Sequence, residues 1–127
     1  MEDIGKTTVF GIFHRQAMPD GVMPVEEFSL EKYCGRWFEI GRMDFFWEKK
    51  SLTNVYAEYT INEEGTVDVK NTGFNEKSGK WSSYEGEARF RADNNIAALE
   101  VTFFGGAWAG YNVVSIDKDY KNALVYG

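Results

Sequence analysis

The stretch Asn54-Val55-Tyr56-Ala57-Glu58-Tyr59-Thr60-Ile61, the four residues Asn62-Glu63-Glu64-Gly65 after it and the return over 66–73 decide the fold class. Val55, Ala57, Tyr59 and Ile61 alternate with Asn54, Tyr56, Glu58 and Thr60. That period of two sets one face of a strand on a core and the other in water. Gly65 supplies the positive φ of a hairpin turn, and the returning strand presents Val67, Val69 and Asn71 together.

Working outward, 37–43 reads as a strand, preceded by one short helical turn at Ser29-Leu30-Glu31-Lys32-Tyr33, with Ser29 as cap and Gly35 as stop. Further strands follow at 81–91, 97–104, 110–117 and 122–126, joined by short connections. From 25 to 127 there is no proline, which suits continuous ladder hydrogen bonding. Seven consecutive strands predict an all-β fold, an antiparallel up-and-down meander. Residues 1–24 hold Pro19, Pro24 and the single histidine, His14, without clear periodicity. They are expected to form an N-terminal arm, poorly ordered or paired with an open sheet edge, ahead of a domain at 25–127.

Composition excludes several function classes. A chain of 127 residues predicts one domain. Its 20 acidic against 14 basic residues, net charge −6, argue against nucleic acid, which rewards a basic face. Aromatic residues make up 17%, too many for a disordered chain. One cysteine, Cys34, excludes an internal disulfide and a cysteine zinc site. One histidine speaks against a histidine-rich metal site or a Ser-His-Asp triad, so neither metal nor cofactor is expected. No apolar run reaches the roughly 20 residues of a membrane span, and the N-terminus, with Glu2 and Asp3, lacks the charged-then-apolar pattern of a secretory signal.

In a meander, alternate connections fall at the same end. Those at 62–65, 91–95 and 118–121 are short and polar, whereas those at 44–52, 74–80 and 105–109 are longer and hold Phe45, Phe46, Trp47, Phe74 and Trp108. One end reads as closed, the other as an aromatic mouth.

Tyr33-Cys34-Gly35-Arg36-Trp37-Phe38-Glu39-Ile40 resembles the first signature of the lipocalin family, in which Gly-x-Trp opens strand A. Asn71-Thr72-Gly73-Phe74-Asn75, Phe103-Phe104-Gly105 and Gly110-Tyr111-Asn112-Val113-Val114 look like the bacterial lipocalin and apolipoprotein D branch. Asp117-Lys118-Asp119-Tyr120 followed by Ala123-Leu124-Val125 is similar to the second signature. The resemblance covers roughly residues 25 to 127 in the correct order. It implies an eight-stranded barrel, the fold type for which lipocalins are the standard example, with a calyx that carries a small apolar ligand, in this branch a fatty acid or lysophospholipid. It also implies association with a membrane surface, at the periplasmic face of a bacterial outer membrane. Gly35, Trp37, Asp117 and Tyr120 take the place of the structural signature residues. The family plan adds a strand H, an arginine covering the strand A tryptophan, and a helix, none of which has a counterpart here. Seven strands of an expected eight leave two edges open, which reads as a truncation, as strand exchange in a homo-oligomer, or as a gap filled by the N-terminal arm.

Alternation and the register of Trp37 place Met43, Val55, Ala57, Tyr59, Val67, Val69, Asn71, Ala88, Phe90, Leu99, Val101, Phe103, Asn112, Val114 and Ile116 inward as calyx lining. Tyr59, Asn71 and Asn112 are polar groups suited to a carboxylate or phosphate headgroup, or to satisfying one another. Trp37 reads as a floor plug. Phe45, Phe46, Trp47 and Trp108 read as a portal, with a lid, a lipid-facing patch or an oligomer contact as alternatives. Glu39 points inward by parity and reads as a structural group near the closed end. Cys34 reads as a quiet, half-buried thiol. No paired acid and base emerges, so binding without catalysis is expected. The alternative is a module that self-associates or takes a protein partner through its open sheet edge.

Overall fold

The computed structural model describes residues 6–9, 13–16, 20–41, 52–103 and 105–127, with backbone alone for the first two segments. Two short strands, β1 (Lys6–Val9) and β2 (Phe13–Gln16), pair antiparallel with each other as a separate hairpin. The helical turn α1 (Leu30–Tyr33) is capped by Ser29, whose side chain accepts the backbone N–H of Lys32 at 3.3 Å. The remaining strands are β3 (Gly35–Phe38), β4 (Leu52–Ile61), β5 (Val67–Asn75), β6 (Lys80–Phe90), β7 (Ala98–Thr102), β8 (Ala109–Ile116) and β9 (Ala123–Tyr126). They form one sheet in chain order, each antiparallel to the next. The sheet curls into a half-barrel whose edges are β3 and β9.

Turn chemistry fixes the ends. The β4–β5 hairpin closes on Asn62, whose Oδ1 accepts the N–H groups of Glu64 and Thr66 at 3.0 and 3.1 Å, while Gly65 holds φ at 83°. The β8–β9 turn closes on Asp117, whose Oδ1 accepts the N–H groups of Lys121 and Asn122. Tyr120 adopts the left-handed region there, with φ at 54°. Both turns lie at the closed end, with the segment joining β6 to β7. The loops before β4, between β5 and β6, and between β7 and β8 share the other end.

The concave face carries the core. Val67, Val69, Ala88, Leu99 and Val101 are buried there, with Tyr59, Phe90, Phe103 and Tyr111 packed against them. Fully burying a valine or leucine contributes about 1.5–3 kcal/mol, so this row alone is a large fraction of a small domain's stability. The chain before α1 seals the closed end. Val25 donates its N–H to Val113 and accepts that of Ala97, both at 2.9 Å, and Phe28 donates to the Asn95 carbonyl at 2.8 Å. Val22 thereby covers Ile96, Ala98 and Val114 on the convex side, while Phe28 enters the interior beside Tyr33, Ala97 and Val113.

Two bulges break simple alternation. One lies between Thr53 and Tyr56 in β4, with Asn54 at φ 51°, and the other between Val113 and Ser115 in β8. A bulge inserts one residue and exchanges the faces of everything beyond it. Tyr111 and Val113 therefore point inward, Asn112 and Val114 do not, and Ile116 returns to the interior. The inward placement expected for Asn112 and Val114 is thus corrected: parity was carried along β8 without the bulge. Glu39 is also displaced from the expectation. It follows β3 on the mouth side, donating its N–H to Val55, and does not lie at the closed end.

Candidate functional site

The concave face divides into a floor and an open upper half. Ala57, Asn71 and Tyr84 stand in one cross-strand row above the floor, a row that begins on β3 at Trp37, whose ring leans down onto Tyr33. The next row down runs from Tyr59 through Val69 to Gly86. Leu52 and Val55 are buried over Gly73, where an added Cβ would lie 3.3 Å from each. Gly86 is tighter: a Cβ there would sit 2.3 Å from the Thr102 carbonyl and 2.6 Å from the Phe103 ring. The missing side chain lets Phe103 lie flat on the sheet, edge to face with Tyr84 at 5.0 Å. The small residues at 73 and 86 thus seat their neighbours, Leu52 and Val55 over Gly73 and Phe103 over Gly86, with Asn71 and Tyr84 as the polar residues of the row above.

The floor is aromatic and hydrogen-bonded. The Tyr111 hydroxyl meets that of Tyr33 at 2.6 Å and that of Tyr59 at 2.8 Å. Trp37 donates its indole N–H to the Tyr33 carbonyl at 2.6 Å and stacks on the Tyr33 ring at 4.8 Å. Phe28 packs against Tyr33 and stacks on Tyr120, whose hydroxyl accepts the Ser29 N–H at 3.0 Å. Burial, and then the neighbouring phenol oxygens, pushes the Tyr33 and Tyr111 hydroxyls well above the usual phenol range. They stay neutral donors and acceptors, the opposite of what a catalytic base needs.

Of the residues expected to line the calyx, Val55, Ala57, Tyr59, Val69, Asn71, Ala88, Phe90, Leu99, Val101 and Phe103 share the concave face. Asn112 lies on the other face, completely buried, accepting from Arg91 Nη2 at 2.6 Å and donating to the Tyr126 carbonyl at 3.0 Å. It ties β8 to the edge strand and does not offer a headgroup contact. Trp108 also turns outward, its ring 3.9 Å beneath the Arg89 guanidinium on the convex side of β6. Met43, Phe45, Phe46 and Trp47 lie outside the described residues. Of the signature positions, Gly35 opens β3 at φ 120°, Trp37 plugs the floor, and Asp117 and Tyr120 build the β8–β9 turn. Tyr33, Tyr84 and Tyr111 were not among the expected lining residues. Tyr84 was legible from its parity with Ala88 and Phe90; Tyr111 needed the bulge.

Burial raises the Cys34 thiol above its usual range, in keeping with an unreactive group. Among the described residues no cluster of three His, Cys, Asp or Glu is placed to hold a metal, and no helix is long and apolar enough to cross a membrane.

Comparison with known proteins gives three concordant results. A family model described as a lipocalin-like domain matches residues 28–126. The outer membrane lipoprotein Blc of Citrobacter freundii is 41% identical over 109 residues, covering 86% of this chain, and apolipoprotein D of Bos taurus is 35% identical over 127, covering 93%. The chain spans 61% and 63% of those two relatives' own lengths. A crystal structure of the cockroach major allergen Per a 4 superposes with a TM-score of 0.58 at 16% identity, over 87% of this chain and 74% of that one, a likeness of fold.

Proposed function

The chain belongs to the lipocalin family, whose members bind small hydrophobic ligands, and from that premise we propose that it binds and carries a fatty acid or lysophospholipid in its calyx, without catalysis. The observation that supports this reading is the apolar concave face, where Val67, Val69, Ala88, Leu99 and Val101 are buried with Tyr59, Phe90 and Phe103 packed against them. Removing about 300 Å² of acyl chain from water there contributes about 7 kcal/mol before association costs. Asn71 and Tyr84 stand where a carboxylate or phosphate headgroup finds donors. Tyrosines held neutral and the lack of an acid–base pair among the described concave-face residues support binding over chemistry.

Titrating the protein with a panel of fatty acids and lysophospholipids, read by tryptophan fluorescence and calorimetry, tests the reading. Saturable binding that Ala57→Trp abolishes is the expected result; no saturable binding to any member overturns it.

A second reading is favoured by the sheet edges. Phe38 on β3 is 68% exposed and Leu124 on β9 is 62% exposed, beside ladder groups with no strand partner among the described residues. Such edges suit association of copies. Sedimentation that shows a dimer, lost when Phe38 and Leu124 become lysine, would favour this reading.

A further inference from the structure

On the convex side, strands β3 to β6 carry three cross-strand rows, one below another. Nearest the mouth stand Thr53, Phe74 and Trp81, and below them Phe38, Tyr56, Thr72 and Ser83. The third row is Arg36, Glu58, Lys70 and Glu85, alternating in sign and without net charge. The change from rings and hydroxyls to charged groups therefore falls at one level on all four strands. In a chain with 27% charged residues, the two upper rows hold none.

The rings form one layer. Phe74 and Trp81 meet edge to face at 5.4 Å, Trp81 and Tyr56 at 6.4 Å, and Tyr56 and Phe38 at 6.0 Å. Trp81 and Tyr56 stand on β6 and β4, so their contact bridges β5. Thr72, in the row between them, is buried, its hydroxyl without a hydrogen-bond partner among the described residues. Arg36 closes the lower side, its guanidinium 4.6 Å over the Tyr56 ring and paired with Glu58. Trp81 is nonetheless 56% exposed. Tyr56, Phe74 and Trp81 lie on inner strands of the sheet, so their exposure owes nothing to the open edges at β3 and β9.

A contiguous exposed aromatic layer marks a contact surface, and its outline selects the partner. A protein footprint has a rim on every side, whereas this layer ends along one level across four strands. Tryptophan and tyrosine above such a level and charges below it make the pattern of an aromatic belt at a lipid–water boundary. Strands rise about 3.4 Å per residue, so from the end of β5 at Asn75 to Thr72 the layer is about 10 Å deep. That matches the depth, about 5–10 Å, to which an interfacial element enters the headgroup region. With no net charge in the rows and −6 on the whole chain, a zwitterionic surface fits and an anionic one repels.

We propose that the convex layer of Phe38, Tyr56, Phe74 and Trp81 docks the mouth rim on a zwitterionic lipid surface, independent of what the calyx carries. Flotation of the full chain with phosphatidylcholine vesicles tests it. The parent should float with the vesicles, with little change between about 50 and 500 mM salt. Mixing phosphatidylglycerol into the vesicles should weaken binding at the low-salt end. Phe74→Ser/Trp81→Ser should weaken it about tenfold or more, whereas Leu124→Ser, at an exposed leucine on β9, should leave it unchanged. Thermal melts check that the variants fold, and Trp81→Lys, a change at one exposed ring, repeats the test should the double variant melt early. No flotation of the parent, or flotation unchanged in the Trp81 variants, overturns the proposal. So does a dimer in sedimentation that the same variants dissolve while the vesicles bind nothing, which assigns the layer to a second copy.

Discussion

Tyr33 and Tyr111 meet hydroxyl to hydroxyl at 2.6 Å although 78 positions separate them in the chain. One belongs to the helical turn at the floor, the other to β8, the sixth strand of the seven-stranded sheet, and the contact locks floor to wall. Replacing Tyr111 by Phe leaves the Tyr33 and Tyr59 hydroxyls without their shared partner inside a desolvated core. A loss of about 1–3 kcal/mol of stability is expected in chemical denaturation.

The same pair makes stability sensitive to alkali. Folded Tyr33 and Tyr111 hold their protons far above the usual range, whereas unfolded phenols ionise near pH 10. Above that pH the unfolded chain binds fewer protons than the folded one, so stability falls as pH rises. The contribution is whole below about pH 10 and is lost progressively beyond it. Thermal melts between about pH 8 and 11 should show the decline, and the double variant Tyr33→Phe/Tyr111→Phe should flatten it. A parent midpoint constant across that range would refute the assignment.

At the acid end the sign reverses. Hydrogen bonds from the Asn122 side chain and the Lys121 backbone hold the Asp117 carboxyl below its usual range. Its stabilising effect is present above the unfolded pKa of about 4 and disappears as pH falls through the folded value. Asp117→Asn should therefore be less stable than the parent at neutral pH and closer to it in strong acid, as read by melting midpoints.

Gly86 and Gly73 should respond differently to alanine. At Gly86 the new methyl meets a backbone carbonyl at 2.3 Å, which cannot yield without shifting β7; overpacking of this kind costs about 1–3 kcal/mol. At Gly73 it meets Leu52 and Val55 side chains at 3.3 Å, which can give way. Gly86→Ala should also displace Phe103 and change ligand affinity, while Gly73→Ala should push Leu52 and Val55 aside with little loss of stability. Equal stability of the two variants would count against this account.

Asn112 is a test of how the edge strand is held. Asn112→Ala removes the amide that joins Arg91 to the Tyr126 carbonyl. A loss of about 1–3 kcal/mol is expected, with amide hydrogen exchange accelerating across β9 before the rest of the sheet.

Much of this was legible beforehand because the signals are local. Alternation from Val55 to Ile61, the Asn62 to Gly65 turn and the glycine before Trp37 each need only their neighbours to be understood. The seven-strand order and the two ends follow from counting connections. The faces of β8 were not legible, because a bulge at Val114 has no sequence mark there, and parity sent Asn112 to the wrong side. The outward turn of Trp108 depends on Arg89, nineteen positions earlier and paired with Glu100 across a ladder at 2.7 Å.

The backbone clasp at Val25 also bears on the order of folding. Its bonds to Ala97 and Val113 join residues separated by most of the chain, so they form only after the meander has brought β7 and β8 together. Closing such a large loop is entropically slow. The hairpins can zip from their turns, but the floor is set by a late, long-range closure, and the amides of Ala97 and Val113 should exchange only when the whole domain opens.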